Sequence, residues 1–119
     1  MSENYIEESN LKRKDEFIIC AASHYDDGIV YPHQPKNVQT GIIIAGRRHH
    51  NCINTCQLLM GDKFNANKMN RASQGFLTSH DRFLNRKEAF KMALANNQII
   101  HNFYDKTNQS QILVSEDLY

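Results

Sequence analysis

At 119 residues the chain has the length of one domain, and a domain of this size buries roughly two-thirds of its unfolded surface, so it needs neither metal nor disulfides to fold. Hydrophobic residues make up 40% and charged residues 23%, a soluble globular composition, and no apolar run approaches the length that spans a bilayer. Fourteen basic against thirteen acidic side chains leave a formal net charge of +1, which excludes broad wrapping of duplex DNA and makes any anion site local.

Residues 1–16 mix Glu, Asn, Ser and Lys, carry the basic run Lys12-Arg13-Lys14, and lack the basic-then-apolar order of a secretory signal. They read as a mobile or peripheral N-terminal arm on a cytoplasmic protein, with 17–119 as a single α+β domain. Phe17 to Ala22 is apolar and β-prone. Asp26-Asp27-Gly28 then predicts a tight hairpin, since glycine accepts the positive φ such a turn requires, with Ile29-Val30-Tyr31 returning as the partner strand. Pro32 and Pro35 bracket a loop, because proline donates nothing to a sheet ladder; His33 and Gln34 in it are open to a ligand or to solvent. Thr40 to Gly46 supplies a third strand.

Beyond it, Cys52, Ile53, Cys56, Leu59 and Met60 recur at helical spacing and Gly61 stands where a carboxy-terminal cap belongs, which predicts a helix over 49–60. Residues 62–73 are polar and read as a loop, and Gly75 to Ser79 as a short strand followed by a turn through His80-Asp81. Asn85 with Glu88 three residues on is a helix-start signature: the Asn oxygen accepts an early N–H while the Glu side chain reaches back. The buried stripe of that helix is Ala89, Phe90, Ala93 and Leu94, and Asn96-Asn97 ends it. Ile99 to Gln111 reads as a connection, 111–115 as the last strand, and Leu118-Tyr119 as docked. The fold expected is a mostly antiparallel sheet packed with two helices. The three cysteines, an odd set, read as reduced, buried thiols.

The most abrupt change of character lies between Gly41 and Cys52, where an apolar run meets Gly46, then Arg47-Arg48-His49-His50, then a helix. The first N–H groups of a helix have no partner within it and carry partial positive charge, so two arginines there point to an anion site. Arg82 and Arg86 repeat the pattern at the second helix start. The alternative in both places is an ordinary solvated arginine. Zinc is disfavoured because the ligands do not fall into two closely spaced pairs and His49 and His50 diverge on a helix. Cys52 lies in an apolar stripe, where burial quenches a thiolate. His80-Asp81 alone is too little for a phosphohydrolase, and neither a phosphate loop nor a dinucleotide fingerprint is present. Anion-binding parts without a paired base and nucleophile favour a binder over an enzyme. A hydrolase, or an interaction module using Lys12 to Lys14 with Arg47-Arg48, are the alternatives. Tyr25, Tyr31, Phe76 and Phe83 stand near the strand ends, where a base can stack; Phe76 reads better as core and Phe83 better as a stacking platform.

The segments Ile18 to Ala22 with the Asp-Gly turn, Tyr31 to Pro35, Gly46 to Cys52, Gly75 to Ser79, Arg82 to Ala89 and Ser115 to Tyr119 together resemble the first-described Thoeris anti-defence family of phage proteins. The resemblance covers most of the chain from Phe17 onward; the arm and Asp62 to Arg71 lie outside it. It implies a non-catalytic sponge that binds a cyclic ADP-ribose isomer made by a bacterial TIR-domain protein, with cyclic oligonucleotides as further ligands of some members. It also implies a homo-oligomer built from dimers, with ligand sites formed near subunit contacts; neither a cofactor nor a metal is expected. On that resemblance, Arg47, Arg48 and Arg86 are expected on the pyrophosphate, Phe83 on adenine, and Asn85, Thr78 and Glu116 on ribose hydroxyls, with His49, Phe76 and Arg82 lining the site. Asn85 has two competing roles here, cap and ligand contact.

Overall fold

The computed structural model describes residues 16–65, 68–69, 73–102 and 111–119. Four strands, β1 (Ile18–Tyr25), β2 (Ile42–Gly46), β3 (Gln74–Thr78) and β4 (Phe83–Asn85), form one antiparallel sheet in the order β2-β1-β3-β4. Two helices, α1 (His49–Met60) and α2 (Arg86–Ala95), complete a small α+β domain, as expected.

The registers Ala21↔Phe76 and Phe76↔Leu84 put three buried side chains on one face of the sheet. Ala89, Phe90 and Ala93 of α2 close over them, and Ile18 and Leu113 complete the core. α1 lies on the same face. Gly46, paired with Ala21, faces Cys52, and the ring of His49 meets that of Phe76 edge-on at 5.1 Å. Tyr25, fully buried, ends β1 by donating its hydroxyl to the Lys63 carbonyl and stacking on Phe64.

The two helix assignments hold. Gly61 ends α1 at φ 56. Asn85 Oδ1 accepts from the Glu88 N–H at 2.9 Å and Glu88 Oε1 from the Asn85 N–H at 3.0 Å. Losing that reciprocal cap in Asn85→Ala is expected to lower stability by about 1 kcal/mol, read as a shift in the urea midpoint at unchanged slope. The apolar stripes are narrower than expected. Cys52 and Cys56 are buried, but Leu59 is 69% exposed and Leu94 57%, the latter rotated about 100° on the helix from its buried neighbour Ala93.

Two expected strands are absent. Ile29 to Tyr31 forms none, although Asp26-Asp27-Gly28 does turn. Asp26 and Asp27 each accept a backbone N–H two residues on, and the Tyr31 hydroxyl donates to Asp27 at 2.5 Å, so local side-chain bonds take the place of a ladder. β1 in any case has both edges filled, by β2 and β3. The loop that follows caps the two outer edges of the sheet instead. Gln34 Oε1 accepts from the Ile43 N–H on β2, and the Asn37 amide pairs with both backbone groups of Phe83 on β4. These bonds block edge-to-edge pairing with another chain at those positions. Residues 111–114 also form no strand. Leu113 is pinned by the main chain and side chain of Arg86, and a 3-10 turn, Ser115–Asp117, follows. Conversely, Phe83–Asn85, read as the approach to a helix, is the fourth strand, turned back by bonds of Thr78 N–H to Arg82 O and Asp81 N–H to Thr78 O.

Most of the expected N-terminal arm, including Lys12 to Lys14, lies outside the described residues, as do parts of the loop 62–73 and of the connection 99–111. Among the described residues no helix is long and apolar enough to cross a membrane.

Candidate functional site

The starts of α1 and α2 converge on the segment 113–119. Arg48, the residue preceding α1, donates from Nη1 to Ser115 Oγ at 3.2 Å and from Nη2 to the Tyr119 carbonyl at 2.6 Å. Arg86, the first residue of α2, donates from Nη1 to the Leu113 carbonyl at 2.9 Å and from Nη2 to Gln74 Oε1 at 2.6 Å. Tyr119 completes the junction. Its hydroxyl donates to the Arg47 carbonyl at 2.6 Å, and the guanidinium carbons of Arg47 and Arg48 stand 5.8 and 5.1 Å from its ring centroid. Arg47 remains exposed and Arg48 half-buried. Such flanking of a phenol ring orients both cations without neutralising them.

His49 sits beneath these groups, 8% exposed, with Nε2 donating to the Gly75 carbonyl at 2.8 Å. Burial, and then the positive charge of Arg86, push its pKa down to about 4, while the Gly75 carbonyl and the Glu116 carboxylate oppose the shift. It is a neutral donor at pH 7. Glu116 is half-buried, and Ser115 Oγ donates to its Oε1 at 3.3 Å. The structure therefore brings together five of the residues singled out above: Arg47, Arg48, His49, Arg86 and Glu116.

The other five are elsewhere or occupied. Thr78 and Arg82 belong to the opposite end of β3 from Gln74. There Arg82 grips Glu16 with two bonds, from Nε at 2.8 Å and Nη2 at 2.6 Å, and the Thr78 hydroxyl donates to the same carboxylate. The hydrogen bond from Arg82, helped by the Thr78 hydroxyl and the Arg82 charge and opposed by burial, holds the Glu16 carboxyl down at about 2. This pair borders an open groove of about 450 Å³ whose walls include Leu84, Glu88, Lys91 and Met92. Phe76 has no exposed surface and cannot stack on a ligand. Phe83 pairs with Leu77, on the opposite face of the sheet from Phe76, and its ring meets that of His24 at 5.9 Å. Asn85 spends its side-chain oxygen on the cap, so the cap prevails in that competition.

Sequence reasoning missed Tyr119 and Ser115 as members of the junction and Glu16 as the partner of Arg82. A docked Leu118-Tyr119 was the one signal available, and it carried no hint of what the ring would meet. Nothing local connects Glu16 to Arg82 across 66 positions.

As for other chemistry, burial pushes the Cys52 thiol up to about 11 and raises those of Cys20 and Cys56 as well, so none is poised as a thiolate. Among the described residues no group of three or more His, Cys, Asp or Glu side chains is placed to hold a metal ion.

No curated protein and no solved structure matches the chain. A family model, described as phage T4 y16D protein, matches residues 17–119, from Phe17 just before β1 through Tyr119 and so over both helix starts and the segment that joins them. On that match, which spans all the described residues but Glu16, the chain belongs to the phage T4 y16D protein family.

Proposed function

We propose that this protein binds and sequesters a cyclic ADP-ribose-type signalling nucleotide, in the manner of the Thoeris anti-defence sponges it resembles, and thereby keeps a bacterial TIR-based immune effector unactivated. The observation that carries the reading is the meeting of Arg47, Arg48 and Arg86 at two adjoining helix starts, beside a buried neutral histidine and a half-buried glutamate. Guanidinium groups of this kind hold a pyrophosphate by charge-assisted hydrogen bonds, and Glu116 is suited to accept from ribose hydroxyls. His49 offers a proton donor already committed to Gly75, and the thiols are held protonated, so the cluster suits holding a phosphate better than cleaving it. Phe83 and Arg82 belong to this reading only if a second copy contributes them, as in the homo-oligomer that the resemblance implies; cyclic oligonucleotides are its further ligands.

The test is calorimetric titration of the full chain with a panel of cyclic ADP-ribose isomers and cyclic dinucleotides, followed by recovery of the ligand. Intact nucleotide released on heating supports sequestration, and a hydrolysed product formed at turnover replaces it with the hydrolase reading. Replacing Arg47 and Arg48 together by Ala is expected to weaken nucleotide binding about thirtyfold, equivalent to ~2 kcal/mol for lost bonds to a charged group. Full affinity in that variant, with loss instead in Arg82→Ala, moves the site to the groove beside Glu16.

A further inference from the structure

We infer that Tyr119 is a latch on Arg48: it occupies the guanidinium that the nucleotide reading requires, and an incoming phosphate group has to displace it. The inference rests on the proposed site and adds to it a gate that the chain itself supplies.

The side-chain hydrogen bonds of Arg48 run to Ser115 and Tyr119, and its guanidinium faces the Tyr119 ring. A bound phosphate would need those same donors. The segment holding them is anchored unequally. Leu113 is fully buried in the core, and Asp117 is fully buried with its carbonyl accepting from the N–H groups of Ile100 and His101 at 2.9 and 3.0 Å. Tyr119 lies two residues beyond that anchor and is half-buried. It is held by its N–H on Ser115 O at 3.3 Å, by its hydroxyl, which donates to Arg47 O and accepts from the Ala21 N–H at 3.4 Å, and by its main-chain oxygen and ring on Arg48. Rotation at Leu118 releases the side-chain and carbonyl contacts while Leu113 and Asp117 stay anchored, and the one bond to the sheet that it breaks is the long one from the Ala21 N–H. The oxygens that occupy Arg48 are the Tyr119 main-chain oxygen and the Ser115 hydroxyl, each taking a single bond, and a phosphate group presents several charged oxygens to the same donors at once. The occupant is thus of the kind a phosphate or pyrophosphate group outcompetes, while water does not.

A latch lowers apparent affinity by the fraction of molecules in which it is open, so removing it raises affinity. The full chain, Tyr119→Ala and Tyr119→Phe are titrated with inorganic pyrophosphate by calorimetry, and amide hydrogen exchange at Leu118 and Tyr119 is followed in the parent protein. Tyr119→Ala is expected to bind about tenfold more tightly, with Tyr119→Phe, which keeps the ring and loses only the hydroxyl bonds, in between. Pyrophosphate is expected to speed exchange at Leu118 and Tyr119 in the parent. A merely structural role would lower affinity through a loosened fold, the opposite sign. If the parent binds pyrophosphate and Tyr119→Ala binds equally or more weakly, with exchange unchanged, the latch is wrong and the site stands. If neither the parent nor either variant binds, the functional reading fails and the latch with it. Binding by Tyr119→Ala alone supports the latch.

Discussion

Gly75→Ala is expected to leave most of the chain unfolded at room temperature. A Cβ at Gly75 falls 2.0 Å from the Leu84 carbonyl oxygen and 2.8 Å from Phe83 Cζ. The first of these is backbone of the adjoining strand, so the clash is not relieved by a rotamer change. β4 has to move away from β3, and it carries with it Leu84, which packs under α2, and Asn85, which caps that helix. The Gly75 carbonyl also accepts from His49, so the same shift leaves a buried donor without its partner. Overlap with backbone plus a disrupted core belongs among the few mechanisms that cost upwards of about 4 kcal/mol, a large part of a small domain's whole stability. Circular dichroism and urea unfolding read the outcome. A melting point within about 5 °C of the parent would mean that the strands are not in this contact.

The second large effect is on pH. His49 has an ordinary pKa of 6.5 when unfolded and about 4 when folded, so between those values the unfolded chain binds the extra proton and stability falls as the pH is lowered. The shift corresponds to about 3 kcal/mol, fully lost by the time the pH has dropped below 4. Glu16 acts in the next window. Its carboxyl is lowered from 4.5 to about 2, so the stability contributed by its ionised, Arg82-bound form is present above 4.5 and disappears as the pH falls towards 2. Together they predict an acid limb that begins near neutrality and continues into strong acid. Urea unfolding across that range checks it. His49→Gln is expected to flatten the portion between 6.5 and 4 while leaving the lower one in place, because Gln keeps an N–H for the Gly75 carbonyl and does not titrate. An unaltered slope in that variant would assign the upper limb to another group.

Both effects reach back to a candidate site that was only partly legible in the residues. Arg47-Arg48 and Arg86 announce themselves because each precedes or opens a helix, and helix limits are written locally: Asn85 with Glu88 at the start of α2, Gly61 after Met60 at the end of α1. Arg82 carries the same local signature and turns out to be committed to Glu16, a choice no neighbouring residue encodes. Phe83 does lie just before the helix cap, but as a strand residue facing away from Phe76, because in a sheet one position decides which face a ring takes.

The linear order of residues by itself determined where both helices begin and end and that Cys52 and Cys56 are buried, whereas Cys20, also read as buried, is only half-buried. Those features depend on spacing within one or two helical turns, or on strand-length apolar runs. Tertiary structure alone decided that β1 pairs with β2 and β3 rather than with Ile29 to Tyr31, that 113–119 clasps two helix starts, and which groups each arginine binds. Strand partners and charge pairs are chosen among segments tens of residues apart, by competition for the same backbone edges and the same guanidinium forks, and Tyr119 on Arg48 is the outcome of that competition on which the proposed function turns.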